Sequence, residues 1–583
     1  MSETLQDRYL ALSGGGFDAH SAHAGWLAGG MDGLAASGRD HDIDQLLGNV
    51  RALASSSGGS WFSSMLGYSE AFRTQFESSA GRDAYNSSGY NGQLRQIFAG
   101  LFNEDGTPRL TPAAQSLLDE VESTLTTVAD TLKAVGVTLD LKPLIDTVRF
   151  VAAMTDNTVS QSGLSWRGFV DNYVYRPLGL TRELDGITLA SARKSWASDV
   201  DVLIGGVMQT SPVVLGSVGA GLATEYGKVS ALPTAPAVPS QLHFTPISLI
   251  SKAPAQPNGT PLASALFTAG PFQSTYRNLR LGRRKVIQTP IPSTLSNALS
   301  LIDATTVSSA AVGVAAGLES LAMGLGVQGS LSEVLTPLSD QLRRFAPAAS
   351  ISSAGVLGPL PPLPPTSRTL ETAAQLGAVR LADSGYVDNS SVGYLLRQIQ
   401  DVKGTSAPFS ITLLMNSTEK PDPITGVHNR VRVGPDASTL SAFGVTSEVS
   451  TLFGQSKGDG SLDGDSIAMA LFPILNVPSA QLFNEGAWYG RTAPDWSYNQ
   501  GSISLAYHNL DVTTVENRTF GVKGGQSGEL HVFTAFNTDS FAAPFNFGTL
   551  DEYAENYDVI RQAVSSGGGF PHLQAALGIT PSA

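Results

Sequence analysis

The chain has 583 residues, with 36 Lys and Arg against 50 Asp and Glu and a formal net charge of -14. That acidic balance argues against nucleic acid as a partner, and 42% hydrophobic with 15% charged residues describes a chain that buries a core. It contains no cysteine, which excludes disulfides, thiolate metal sites, iron–sulfur clusters and a cysteine nucleophile together.

The N-terminus, Met1 to Tyr9, has neither the cationic start nor the apolar core of a signal peptide. A cytoplasmic location is expected, with nonclassical export left open. Tyr9 to Leu12 then reads as a strand, Ser13-Gly14-Gly15-Gly16 as a turn, and Phe17 to Ser37 as a helix stopped by Gly38. A second copy of this order follows: strand Val50 to Ala54, turn Ser55 to Gly59, and a helix opening at Ser60. Two such units begin a parallel α/β sheet.

Thr111 to Asp156 carries spaced leucines and valines without strand punctuation and predicts a helical cap or lid. Ser195 to Pro292 returns to strand and loop character. Within it, Val202 to Thr224 is uncharged over a bilayer-spanning length, but Gln209, Pro212 and its glycines mark buried strand and loop. Leu301 to Arg344 is helical again, and Pro359 to Pro365 must be an extended connector. Ala378 to Ala382 is a strand, Val392 to Gln400 a helix and Phe409 to Met415 a strand. The expected organisation is one enlarged domain over 1–583. Its core comprises 1–110, 196–300 and 370–583, interrupted by a helical cap at 111–195 and a helical insertion at 301–350.

An acyl-transfer nucleophile needs a serine on a tight turn between a buried strand and a helix N-terminus, beside backbone N–H donors and small neighbours. Ser57 meets that description, with Ser55, Gly58 and Gly59 around it; a merely polar loop is the alternative. Glycines at a strand end free N–H groups to converge on an anion, so Gly14, Gly15 and Gly16 are candidate oxyanion or phosphate donors. The run lacks Gly-x-Gly-x-x-Gly spacing, and no Walker-type motif occurs. Asp383, after a strand and before Ser384-Gly385, is placed to take a serine proton, with Asp388 as its competitor.

Other clusters offer less. His20 and His23 fall nearly on one helical face but lack a third ligand, and Asp459 to Asp465 lacks the terminal glutamate of a calcium loop, having Ala470 there. No metal and no cofactor are expected. Arg280 to Lys285 is the one dense basic cluster, and it reads as a solvated loop or a head-group contact.

Taken in order, the glycine turn, the Ser-Gly-Gly elbow and the distant Asp-Ser-Gly resemble the patatin and cytosolic phospholipase A2 superfamily of serine acyl hydrolases. Leu10 to Phe17, Ala54 to Trp61 and His243-Phe-Thr-Pro246 are similar to its cytosolic phospholipase and lysophospholipase branch, as are Asp383 to Asn389 with Val392 to Arg397 and Tyr553 to Tyr557. The resemblance covers about a fifth of the chain strongly. It implies a three-layer α/β/α core with a mainly parallel central sheet and helical cap insertions. It further implies a dyad of Ser57 as nucleophile and Asp383 as base, with the Gly14–Gly16 turn as oxyanion hole. Two places depart from the pattern: Ser55 stands where the elbow has glycine, and Asp18 where an arginine meets substrate phosphate.

The function expected is therefore a lipid acyl hydrolase acting on carboxylic esters through an acyl-enzyme, in transient contact with a membrane surface. The alternatives are an esterase on neutral lipid, polyester or small acyl esters, and a non-catalytic lipid- or partner-binding descendant.

Overall fold

The computed structural model describes residues 7–77, 170–209, 300–309, 379–416, 448–454, 481–537 and 550–581 with a few internal gaps, short strands within 244–289 and 350–357, and isolated positions within 103–126. The predicted cap over 111–195 falls largely outside the described residues. So do Leu301 to Arg344 beyond Ser309, the Pro359 to Pro365 connector and the Asp459 to Asp465 loop.

Among the described residues are the strands β1 (Arg8–Leu12), β2 (Val50–Ser55), β3 (Asp201–Gln209), β4 (Phe244–Ile250), β5 (Ala265–Thr268), β6 (Phe272–Arg277) and β7 (Arg284–Thr289). They continue with β8 (Ser350–Ser352), β9 (Gly355–Leu357), β10 (Val379–Ala382), β11 (Phe409–Asn416), β12 (Trp496–Gln500), β13 (Ile503–Thr513) and β14 (Ser527–Asn537). All but the β6–β7 hairpin join one sheet in the order β12-β13-β14-β11-β1-β2-β3-β10-β8-β9, with β4 on β3 and β5 on β4. The run β14-β11-β1-β2-β3 is parallel, and every pairing outside it is antiparallel. The sheet is thus mixed, with a parallel centre and antiparallel flanks. Its centre is built from βα crossovers and its flanks from antiparallel neighbours, some joined by links as short as Gly501-Ser502.

β1 shows why the centre is parallel. Its alternate residues belong to opposite cores: Leu10 and Leu12 to one, Tyr9 and Ala11 to the other. A strand apolar on both faces must be covered on both. Over the Leu10 face lie α1 (Gly16–Ala36), α2 (Ile43–Leu47), α3 (Ser57–Tyr68) and α4 (Glu70–Glu77), with α5 (Leu301–Ser308). Over the Tyr9 face lie α6 (Val392–Lys403), α7 (Glu448–Phe453) and α8 (Gly486–Tyr489). α9 (Leu550–Ser565) and α10 (Phe570–Ala576) return to the Leu10 face. This is an α/β fold with helices on both sides of the sheet.

One sequence boundary shifts and one set of strands is new. The second helix begins at Ser57 rather than Ser60, which moves the candidate nucleophile from the loop onto the first residue of the helix. β12 to β14, not anticipated in the sequence, close one flank; β12 alternates only between intermediate and exposed positions, so it carries little strand signal. Leu301–Ser308 packs in the main core.

α1 packs closely on α9. A Cβ placed on Gly29 would lie 2.6 Å from Val564 Cβ and 2.7 Å from the Arg561 carbonyl oxygen, so the close approach at this point requires a glycine on α1. Asp32 reinforces the contact by accepting from Arg561 Nε at 2.6 Å. Gly29→Ala, although it improves helix propensity by up to ~1 kcal/mol, is expected to lower stability by about 1–3 kcal/mol through overpacking, measured by chemical denaturation.

Candidate active site

Strand register assembles the site. β1 pairs β2 with Leu12 opposite Ser55, and β11 with Leu12 opposite Leu414, so β1 and β2 end at one level and β11 runs two residues further. β3 continues past β2: it pairs Ile204 with Ser55, then pairs Val207 with Ala382 of the antiparallel β10. β10 therefore runs head-on toward the end of β2, and the residues just beyond each, Ser57 and Asp383, meet. Parallel α/β sheets place their ligands at this edge.

Ser57 adopts φ 46°, the left-handed region where a non-glycine residue is strained. Its N–H donates to Ser308 Oγ at 3.0 Å and to Ser384 Oγ at 3.2 Å, and its carbonyl accepts from Ser60 Oγ at 2.6 Å. These bonds hold the strained turn, and Ser57 remains partly exposed between buried neighbours. The next position must be glycine, because a Cβ on Gly58 would overlap the Gly16 carbonyl oxygen. Ser55 is not among the positive-φ residues and shares a 2.7 Å hydrogen bond with Ser63 Oγ, so a side chain fits at this position.

Ser57 Oγ donates to Asp383 Oδ2 at 2.9 Å. The other carboxylate oxygen accepts from Gly385 N–H at 2.7 Å, which fixes its orientation. Asp383 is 2% exposed, and burial raises its pKa to about 7, opposed by the Gly385 N–H and the Ser57 hydroxyl. Asp388 is equally buried but committed elsewhere. Its carboxylate accepts from Ser390 N–H at 2.8 Å, Ser390 Oγ at 2.5 Å and Gly393 N–H at 2.7 Å, shaping the loop that starts α6.

The glycine turn sits against the elbow. Gly15 and Gly16 take φ values of 134° and 60°, open to glycine, and a Cβ on Gly16 would meet nothing within 4 Å. Gly14 N–H donates to the Asn389 carbonyl at 2.8 Å and is consumed there. Of the three predicted donors, the N–H groups of Gly15 and Gly16 have no hydrogen-bond acceptor among the described residues, at the N-terminus of α1 where the helix dipole favours negative charge. Asn389 is itself held by the buried Glu448, which accepts from Asn389 Nδ2 at 2.5 Å. Neither Asn389 nor Glu448 was singled out from the sequence, because the contact joins positions far apart in the chain without a local motif.

His20 and His23 point into the core. His23 Nε2 bonds the Ser13 carbonyl at 2.8 Å, and burial lowers their pKa values to about 3 and about 4. Burial thus disfavours the charged form of both; among the described residues no group of three His, Cys, Asp or Glu could hold a metal ion. Asp18 is 8% exposed in the first turn of α1. No helix among the described residues is long and apolar enough to cross a membrane.

No family model matches the chain, and no curated protein matches it.

The two aspartates are expected to respond oppositely. Asp383 in the fold has a pKa near 7, above the ~3.9 of an unfolded chain, so its contribution to stability is present at low pH and lost as pH rises through about 7. Asp383→Asn should therefore gain on the wild type by on the order of 1–3 kcal/mol between about pH 5 and about pH 8. Asp388→Ala, which strands buried donors, should cost about 1–3 kcal/mol across that range. Denaturant titrations at several pH values check both.

Proposed function

We propose that this protein is a serine hydrolase of carboxylic esters, related to the patatin and cytosolic phospholipase A2 superfamily and built on its three-layer core. The observation that carries the reading is the 2.9 Å bond from Ser57 Oγ to Asp383, made by a strained serine at a helix N-terminus beside the Gly15–Gly16 turn. A structural serine has no need of left-handed backbone or of a buried carboxylate half-protonated near neutrality. Neither His20 nor His23 serves as the base in this reading, since both are buried with lowered pKa values.

In the proposed reaction Asp383 takes the Ser57 proton as Oγ attacks the ester carbonyl, and the Gly15 and Gly16 N–H groups receive the charge that develops on the carbonyl oxygen. Collapse of the tetrahedral intermediate expels the alcohol, which takes the proton from Asp383. Water, activated by the same carboxylate, then frees the acid from Ser57. Lipid esters met at a surface are the expected substrates. Asp18 favours neutral esters over phosphate-bearing ones, because a carboxylate in the first turn of the helix that opens at the glycine turn repels phosphate.

Turnover of phospholipid, lysophospholipid, neutral glyceride and soluble esters by the purified protein tests the reading. Ser57→Ala and Asp383→Asn are each expected to lower kcat/KM by at least about 10³-fold on whichever ester is cleaved. Because the base must be ionised, wild-type kcat/KM should rise with pH through about 7 and level off above it. Hydrolysis that survives Ser57→Ala, or that falls as pH rises through this range, contradicts the assignment.

A further inference from the structure

Asn416 is the last residue of β11, two positions past Leu414, and so lies level with Gly14 on the neighbouring β1 edge. Its backbone N–H donates to Ser13 Oγ at 2.7 Å, which pins the strand end to the glycine turn. The residue is 4% exposed, yet its side-chain Nδ2 is buried without a hydrogen-bond partner among the described residues. That nitrogen lies 2.6 Å from where a Cβ on Gly15 would sit, with Cγ 3.6 Å away. The amide is therefore packed against Gly15, whose N–H has no acceptor among the described residues.

A buried donor with no acceptor is costly, and an apolar residue of similar size would fill this strand end without that cost. The stranded donor has a use only when an acceptor arrives. The adjoining groups all suit an anion: two glycine N–H groups and the N-terminus of α1. A neutral amide also donates at every pH, unlike a lysine or histidine.

We propose that Asn416 Nδ2 is a third oxyanion donor, joining Gly15 and Gly16 when the acyl carbonyl becomes tetrahedral. The proposal rests on the reading of Ser57 as nucleophile. As the Ser57 Oγ–carbon bond forms, the carbonyl π pair moves onto oxygen and the serine proton passes to Asp383. Asn416 donates to that oxygen until the pair returns, the ester C–O bond breaks and the departing alkoxide takes the proton from Asp383.

The test compares Asn416→Ala, Asn416→Asp and Ser57→Ala with the wild-type full chain on a p-nitrophenyl ester and its thionoester, with thermal unfolding of each variant. A donor to the developing oxyanion distinguishes oxygen from sulfur, a poorer acceptor, and a merely structural side chain does not. Asn416→Ala is expected to lose about 10²–10³-fold in kcat on the oxygen ester with KM little changed, and to lose much of the preference for oxygen over sulfur. Asn416→Asp, nearly isosteric, should lose at least as much while unfolding close to the wild type. This second variant carries the test if the alanine variant does not fold.

Ser57-dependent turnover that both Asn416 variants leave within about threefold of wild type overturns this proposal alone. The same holds for a rate loss with the oxygen-to-sulfur preference unchanged. Absence of any Ser57-dependent turnover removes the proposal together with the hydrolase reading.

Discussion

The site depends on the position of β1 between two parallel neighbours. Because Leu12 is opposite both Ser55 and Leu414, the glycine turn, the Ser57 elbow and Asn416 leave the sheet at one level. Parallel pairing requires long crossovers, and these put α1 and α3 on the same face, so that the N-termini of both helices open at that level. A slip of one residue in either register would send Leu10 and Leu12 into the opposite core and pull the turn from the elbow. The hydrophobic cores thus fix the geometry to which the polar site is added.

Upon that frame the molecule concentrates its departures from easy structure. Ser57 holds a positive φ, Asp383 is a carboxylate removed from water, and Gly58 tolerates no side chain. Each is destabilising in isolation. They persist because Ser308, Ser384 and Ser60 bind the elbow backbone and Gly385 orients the aspartate. The antiparallel approach of β10 matters most here, since it aims Asp383 at the end of β2 instead of leaving it on a neighbouring strand end. Burial then places the carboxyl pKa near 7, where a general base works best at neutral pH.

Much of this is legible in the chain. Apolar strand, glycines and helix in two copies give β1, α1, β2 and α3, because local periodicity and turn chemistry there agree with the tertiary structure. The pairing of Ser57 with Asp383 follows only from the order of motifs, since 326 residues separate them. What stays hidden is set by contacts between distant segments. The loss of Gly14 N–H to the Asn389 carbonyl depends on how the Asp383 loop folds back on the turn, and the choice of Asp383 over Asp388 depends on which carboxylate the loop backbone consumes. The antiparallel flanks are similarly hidden, because half-exposed strands such as Trp496–Gln500 have no clear period. Asn416 reads as the polar end of an apolar strand, and only its place beside Gly15 gives it meaning.

The most direct test of the account is to trap the protein with a fluorophosphonate and locate the adduct by peptide mass spectrometry. A single adduct on Ser57, slowed when Asp383 is replaced by Asn, is the result the geometry requires. An adduct on another serine, or ester hydrolysis by a protein whose Ser57 never labels, contradicts it.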